Sequence, residues 1–440
     1  MDLSLNVLGW LIMLVGISLS IALHEVGHLV TAKKFGVKVT EYMVGFGPRL
    51  FSRQRGETEY GIKAIPLGGY IRMIGMLPPV NPDRPEVLRT TTTGRMGALV
   101  DDARQTAADE IGPEDADRVF YKLPVRQKLV VMLGGPTMNL IISAILFTIA
   151  FMALGLPTPS NVVGYVAPCI PTEASLRADK SLTNCPNSPS PAAESGLKVG
   201  DRILSFNGVV TSNWEQVRTQ IRTSDKSNVP FTVERDGRTL RLTTTLVQAP
   251  RPTFNDQGQI TSIEPSLYFG LAPTEELVKQ SFIAVPKQMW AITKQATRAI
   301  ITLPVRMYEL TQTVFGSQPR DPNGLVGVVG VGRISGEVVA AEGIDVQLKA
   351  LQILGLLAGL NLFLFLFNLI PLLPLDGGYA IGAVWEGIKR GWARMRGKPD
   401  PGPVDVAKAL PLAYGISIVL ILMGGLLVWA DLFKPITLGL

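Results

Sequence analysis

The string His24-Glu25-Val26-Gly27-His28 holds the residues best suited to chemistry. Histidines four apart share one helix face, so both imidazoles can reach the same ion, and the neighbouring glutamate can reach its open coordination position. That is the layout of zinc-dependent hydrolysis. These are also the only two histidines in 440 residues. A zinc ion needs a third protein ligand and leaves its fourth position to water. With no histidine left and both cysteines assigned below to the outer side, that ligand is expected to be a carboxylate. Asp376 fits, in the string Asn368-Leu369-Ile370-Pro371-Leu372-Leu373-Pro374-Leu375-Asp376-Gly377-Gly378, and Glu386 is the second choice. The two prolines break regular helix and the glycines allow close backbone approach, as suits an irregular segment lining a polar cavity.

The elements that carry these residues are apolar. The chain is 47% hydrophobic and 18% charged, with a mean hydropathy of +0.27. Four runs, Leu5 to Val30, Leu129 to Leu156, Leu351 to Leu375 and Leu410 to Leu432, each exceed the roughly 20 residues a helix needs to cross a bilayer. The first has no basic stretch before it and no small-residue cleavage site after it, so it reads as a retained span rather than a signal peptide. A glutamate and two histidines inside it cost on the order of a few kcal/mol each unless satisfied, which marks them as functional.

Basic residues flank the spans: Lys33, Lys34 and Lys38 after the first, Arg126 and Lys128 before the second, and Lys389, Arg390, Arg394 and Arg396 after the third. The positive-inside rule makes those loops cytoplasmic and puts both termini and the region from Pro157 to about Leu348 outside. Cys169 and Cys185 fall in that outer region, where an oxidising environment would let them pair. The net charge of +6 is accounted for by these flanks and requires no nucleic acid.

Between the first two spans, residues 35–77 alternate apolar with polar around glycines, as in Val37, Val39, Tyr60 and Ile62, which predicts a membrane-associated β region. Residues 78–127 read as a polar cytoplasmic insertion. Outside, a strand-like Val162 to Val166 is followed by a helix announced by a capping box from Ser212 to Glu215. A β-hairpin then turns at Asp236-Gly237. The outer domain is expected over residues 158–250. A connector over residues 251–348 is expected to carry amphipathic helices at the membrane surface between Glu275 and Phe315.

Together, HEVGH in the first span and NLIPLLPLDGG at the end of the third resemble the site-2 protease family of intramembrane metalloproteases. The likeness extends to Gly134-Gly135-Pro136-Thr137-Met138-Asn139 in the second span. Residues from about Val162 to Val247 resemble a PDZ domain, and the layout with one such domain and a cysteine-bearing insertion is similar to actinobacterial members. The resemblance implies a polytopic α-helical membrane protein: four spans over residues 1–34, 128–157, 349–380 and 409–433, the β region, one extracytoplasmic PDZ-like α+β domain, and a basic cytoplasmic loop over 381–408. It implies Zn2+ on His24, His28 and Asp376, with Glu25 as general base. Asn139, Asn361 and Asn368 would meet the substrate backbone. The substrates would be single-pass membrane proteins in the lipid bilayer, such as anti-sigma factors after a first outside cut. Tyr379 departs from the pattern, standing where His or Arg is more usual. Two other classes fit part of the sequence: a membrane zinc transporter, and a PDZ scaffold with a vestigial metal site.

Overall fold

The computed structural model describes residues 3–79, 95–173, 176, 188–224, 227–254, 260–316, 320–321 and 324–436. The chain divides into two compact units, one made of Met1–Ala153 with Ser281–Leu440, the other of Leu154–Gln280.

In the first unit, α1 (Leu3–Lys34) leads into two long strands, β1 (Val39–Arg55) and β2 (Thr58–Met73). They pair antiparallel with several register shifts. Glu41, Tyr42, Met43 and Val44 each have two partners, in Arg72, Ile71, Tyr70 and Gly69 near the end of β2 and in Glu59, Tyr60, Gly61 and Ile62 near its start. The beginning of β1 is therefore interior to the sheet, and residues 69–73 lie at its margin. Gly45 and Gly68 sit at φ 91° and 105°, a region closed to residues with a Cβ, and there the long strands bend back on themselves.

Next come α2 (Arg95–Asp109) and α3 (Val125–Thr148), the latter continued by a π-helical turn to Leu154. Glycine lets α3 cross α1 at backbone contact. A Cβ on Gly27 would collide with the carbonyl of Gly134, and one on Gly134 with that of Gly27. Small residues permit this approach where lipid removes the hydrophobic drive for helices to associate.

The second unit is a β-rich domain. It contains β3 (Leu156–Val166), β4 (Arg202–Phe206), β5 (Val209–Val210), α4 (Trp214–Thr223), β6 (Val229–Arg235), β7 (Arg238–Thr244), β8 (Val247–Phe254), β9 (Ile260–Tyr268) and β10 (Leu271–Val278). The main sheet runs β10-β3-β4-β6-β7 with β5 beside β4, and β8 and β9 form a separate pair. Phe206, Phe231 and Phe269 close its core, with ring centroids 5.7, 5.4 and 5.3 Å apart. Burial pushes the Asp201 carboxyl up, but the Arg235 guanidinium at 2.6 Å outweighs it and holds that carboxyl below its ordinary range.

The hairpin turn at Asp236-Gly237 joins β6 to β7 with both residues at positive φ, 51° and 73°, as a type I′ turn requires. The α4 cap lies one residue later than expected: the Asn213 side chain accepts from Gln216 N at 3.0 Å, and the Gln216 side chain reaches back to Ser212 N at 2.8 Å. The domain also outruns the expected end near residue 250, because β10 returns to pair with β3. Pro250, Pro252, Pro265 and Pro273 sit within these later strands. Cys169 is disulfide-bonded; Cys185 lies outside the described residues.

The first unit resumes with α5 (Ala284–Ile301), α6 (Leu303–Phe315), α7 (Val328–Ala340), α8 (Val346–Asn368), α9 (Asp376–Met395) and α10 (Leu410–Phe433). Helices α5 and α6 carry the expected amphipathic pattern, whereas α7, packed on α1, had no sequence expectation. Among the described residues, four helical segments are long and apolar enough to cross a membrane: Leu3–Lys34, Val125–Leu154, Val346–Asn368 and Val406–Phe433. The third ends at Asn368 rather than continuing to residue 380. Pro371 and Pro374 cannot supply helix hydrogen bonds, so residues 369–375 run irregularly and a new helix starts at Asp376.

Candidate metal centre

Helix α1 presents His24 and His28 from successive turns, and α3 and α9 close around them. His24 Nε2 lies 3.3 Å from Asp376 Oδ2, His28 Nε2 lies 3.3 Å from the same oxygen, and the two ring nitrogens are 3.3 Å apart. Residues 352 positions apart thus meet in an equilateral triangle of donor atoms. A tetrahedral ion with bonds of about 2.0 Å to histidine nitrogen and carboxylate oxygen has ligand–ligand edges of about 3.3 Å. The Asp376 oxygen is buried without a hydrogen-bond donor, and Gly135 of α3 keeps the space clear, since a Cβ there would collide with both histidine Nε2 atoms. Donor chemistry, spacing and cradle all fit zinc.

The far nitrogens of both rings are held. His28 Nδ1 lies 2.8 Å from the Val131 carbonyl. A carbonyl only accepts, so Nδ1 carries the proton and Nε2 keeps its lone pair for a metal. His24 Nδ1 lies 3.1 Å from the Asn139 amide nitrogen, while Asn139 Oδ1 is buried with no partner. Turning that amide over pairs the oxygen with His24 Nδ1–H and leaves the same lone-pair arrangement on its Nε2.

Glu25 occupies the next position on α1 and faces the end of β2. A Cβ on Gly69 would stand 3.2 Å from the Glu25 Cγ. Tyr42 ties strand to helix by donating to the Ala22 carbonyl at 2.8 Å. Burial, with help from the Glu25 charge, pushes its phenol up to about 12, so it remains a donor.

The asparagines separate in role. Asn139 contacts a candidate ligand. Asn361 is fully buried in α8, and its amide nitrogen donates to Ser20 Oγ at 2.9 Å and to the Leu357 carbonyl at 2.8 Å, so it joins helices. Asn368, the half-buried last residue of α8, makes no side-chain hydrogen bond among the described residues. Glu386 is not at the centre: it is buried against Lys128 at 2.7 Å and Arg390 at 3.1 Å. Tyr379 packs against the apolar cluster that includes Leu29, Val131 and Met132. The residues least visible in advance are Gly135, Val131 and Tyr42. The Gly134-Gly135 pair ahead of a proline inside a span was the one available signal.

The profile of Peptidase family M50 matches residues 12–398. The chain belongs to that family. Among its relatives, zinc metalloprotease Rip1 of Mycobacterium tuberculosis is 34% identical over 98% of this chain and 99% of its own length. Zinc metalloprotease RasP of Geobacillus kaustophilus is 26% identical over 93% and 94%. The regulator of sigma-W protease RasP of Bacillus subtilis is 26% identical over 91% and 92%. With four membrane-length helices among its described residues, this M50 member is an intramembrane zinc metalloprotease of the site-2 type.

Proposed function

We propose that His24, His28 and Asp376 hold the catalytic zinc, that Glu25 is the general base, and that the substrates are transmembrane segments of single-pass membrane proteins. The supporting observation is the triangle of 3.3 Å edges with Glu25 on the adjoining helix position. When bound, zinc supplies a Lewis acid that acidifies water and polarises the scissile carbonyl. Glu25 takes the proton of the attacking water and passes it to the leaving amine. Val131 and Asn139 fix the two imidazoles. Asn368, with its amide uncommitted, hydrogen-bonds the substrate backbone.

A substrate helix hides its peptide bonds in its own hydrogen bonds and must unwind before attack. The margin of the sheet at residues 69–73 lies beside Glu25 and offers strand pairing to the unwound stretch. Basic flanks on the spans support cytoplasmic placement of the metal side, with both termini outside. The unit Leu154–Gln280 acts there as a single PDZ-like domain that screens out substrates still carrying bulky outer domains. Anti-sigma factors are the substrate class favoured by the resemblance, and the Bacillus subtilis relative is named as a regulator of sigma-W protease. A transport path would call for successive metal sites, and His24, His28 and Asp376 form the one such group among the described residues.

The test replaces Asp376 with Asn and measures zinc content beside cleavage of a transmembrane reporter. We expect zinc to fall and cleavage to vanish together; full zinc with undiminished cleavage would remove Asp376 from the ligand set.

A further inference from the structure

Helix α9, which begins at Asp376, has two unlike faces. Ala383 and Glu386 are buried against the protein. Ile381, Val384, Trp385, Ile388, Trp392 and Met395 are all exposed, and at 3.6 residues per turn they fall within an arc of about 100°. Four of them line a cleft of about 500 Å³ closed on its other side by Pro371, Leu372 and Leu412. Lys389 and Arg396 stand along one border of the stripe, and Arg396 lies 4.6 Å over the Trp392 ring. Lys389, Arg394, Arg396 and Lys398 are exposed and have no carboxylate partner among the described residues, whereas Arg390 is held by Glu386 and Asp400.

An apolar stripe with tryptophans and a rim of unpaired cations matches the interface of an anionic bilayer. A neighbouring protein is the weaker fit, because the stripe is continuous with the bilayer-facing surface of the spans. Leu412 of α10 lines the same cleft, and only seven residues, 369–375, separate the end of α8 at Asn368 from the start of α9. We propose that α9 lies in the membrane–water interface with its stripe among acyl chains and its free cations on anionic phospholipid headgroups. Because its first residue is Asp376, this seating also sets the position of that carboxylate, a consequence that rests on the ligand assignment above.

The test reconstitutes the full chain in bilayers of mixed phosphatidylcholine and phosphatidylglycerol, with bromine on the acyl chains of one lipid or the other. The tryptophan fluorescence difference between the parent and Trp392→Phe isolates Trp392. Stronger quenching by brominated phosphatidylglycerol is expected, and the excess should vanish when Lys389, Arg394, Arg396 and Lys398 are changed together to Gln. Each cation contributes a roughly fivefold preference for an anionic surface. Absence of quenching by either lipid would overturn interfacial seating, and equal quenching by both would overturn anionic selection. These readouts are independent of proteolysis. In the same bilayers, reporter cleavage should fall several-fold without phosphatidylglycerol in the parent and be insensitive to it in the fourfold variant; cleavage indifferent to lipid in the parent would overturn the coupling to Asp376.

Discussion

Each of the two candidate histidine ligands is held on its far nitrogen by a group outside the HEVGH string. Asn139 is within hydrogen-bond distance of His24 Nδ1 and Val131 of His28 Nδ1. Loss of such a partner typically costs about 10–100-fold in metal affinity. Asn139→Ala is therefore expected to weaken zinc binding by about that factor in a chelator competition, with the fold intact. Unchanged affinity would mean Asn139 serves the substrate instead. The histidine pair, its glutamate and Asp376 were legible because helical spacing and the absence of other histidines leave few choices. Of the partners on the histidines' far nitrogens, Asn139 was expected to meet the substrate rather than His24, and Val131 was not expected at all, because a backbone carbonyl leaves no trace in residue type. Glu386 illustrates the opposite error: a carboxylate of the right type near the third span proves to be neutralised by Lys128 and Arg390.

At the level of elements, hydropathy placed the four spans well, since length and apolarity alone decide them. It placed their ends less well. Residues 369–375 are as apolar as the helix before them, and only the loss of two backbone donors at Pro371 and Pro374 ends α8 at Asn368. The same composition hid α9, whose basic residues suggested a loop although its apolar residues follow one helix face. The strands β8 to β10 were missed: Pro250, Pro252, Pro265 and Pro273 lie within them, and a residue without a backbone donor argues against a strand. Strand capture belongs to this scale. Cysteines introduced along residues 69–73 of β2 should form disulfides with cysteines around the scissile bond of a substrate bound to a Glu25→Gln enzyme. Crosslinks to other surfaces, with none to this margin, would rule the margin out.

The whole molecule has two compact units, with the candidate metal centre in one and a β-rich domain in the other. If the second screens substrates by bulk, replacing residues 154–280 with a short linker should let untrimmed substrates be cut as fast as trimmed ones. Continued rejection of untrimmed substrate by the shortened enzyme would place the selectivity elsewhere. The architecture follows from solvent: every backbone group at membrane depth must be satisfied internally, so the irregular stretch before Asp376 is tolerated only beside a protein cavity. The most direct measurement of the central claim is cleavage of a tagged transmembrane reporter by purified protein, comparing the natural chain with Glu25→Gln at equal zinc content. The account predicts cleavage by the natural chain and none by the variant; equal cleavage by both would contradict it.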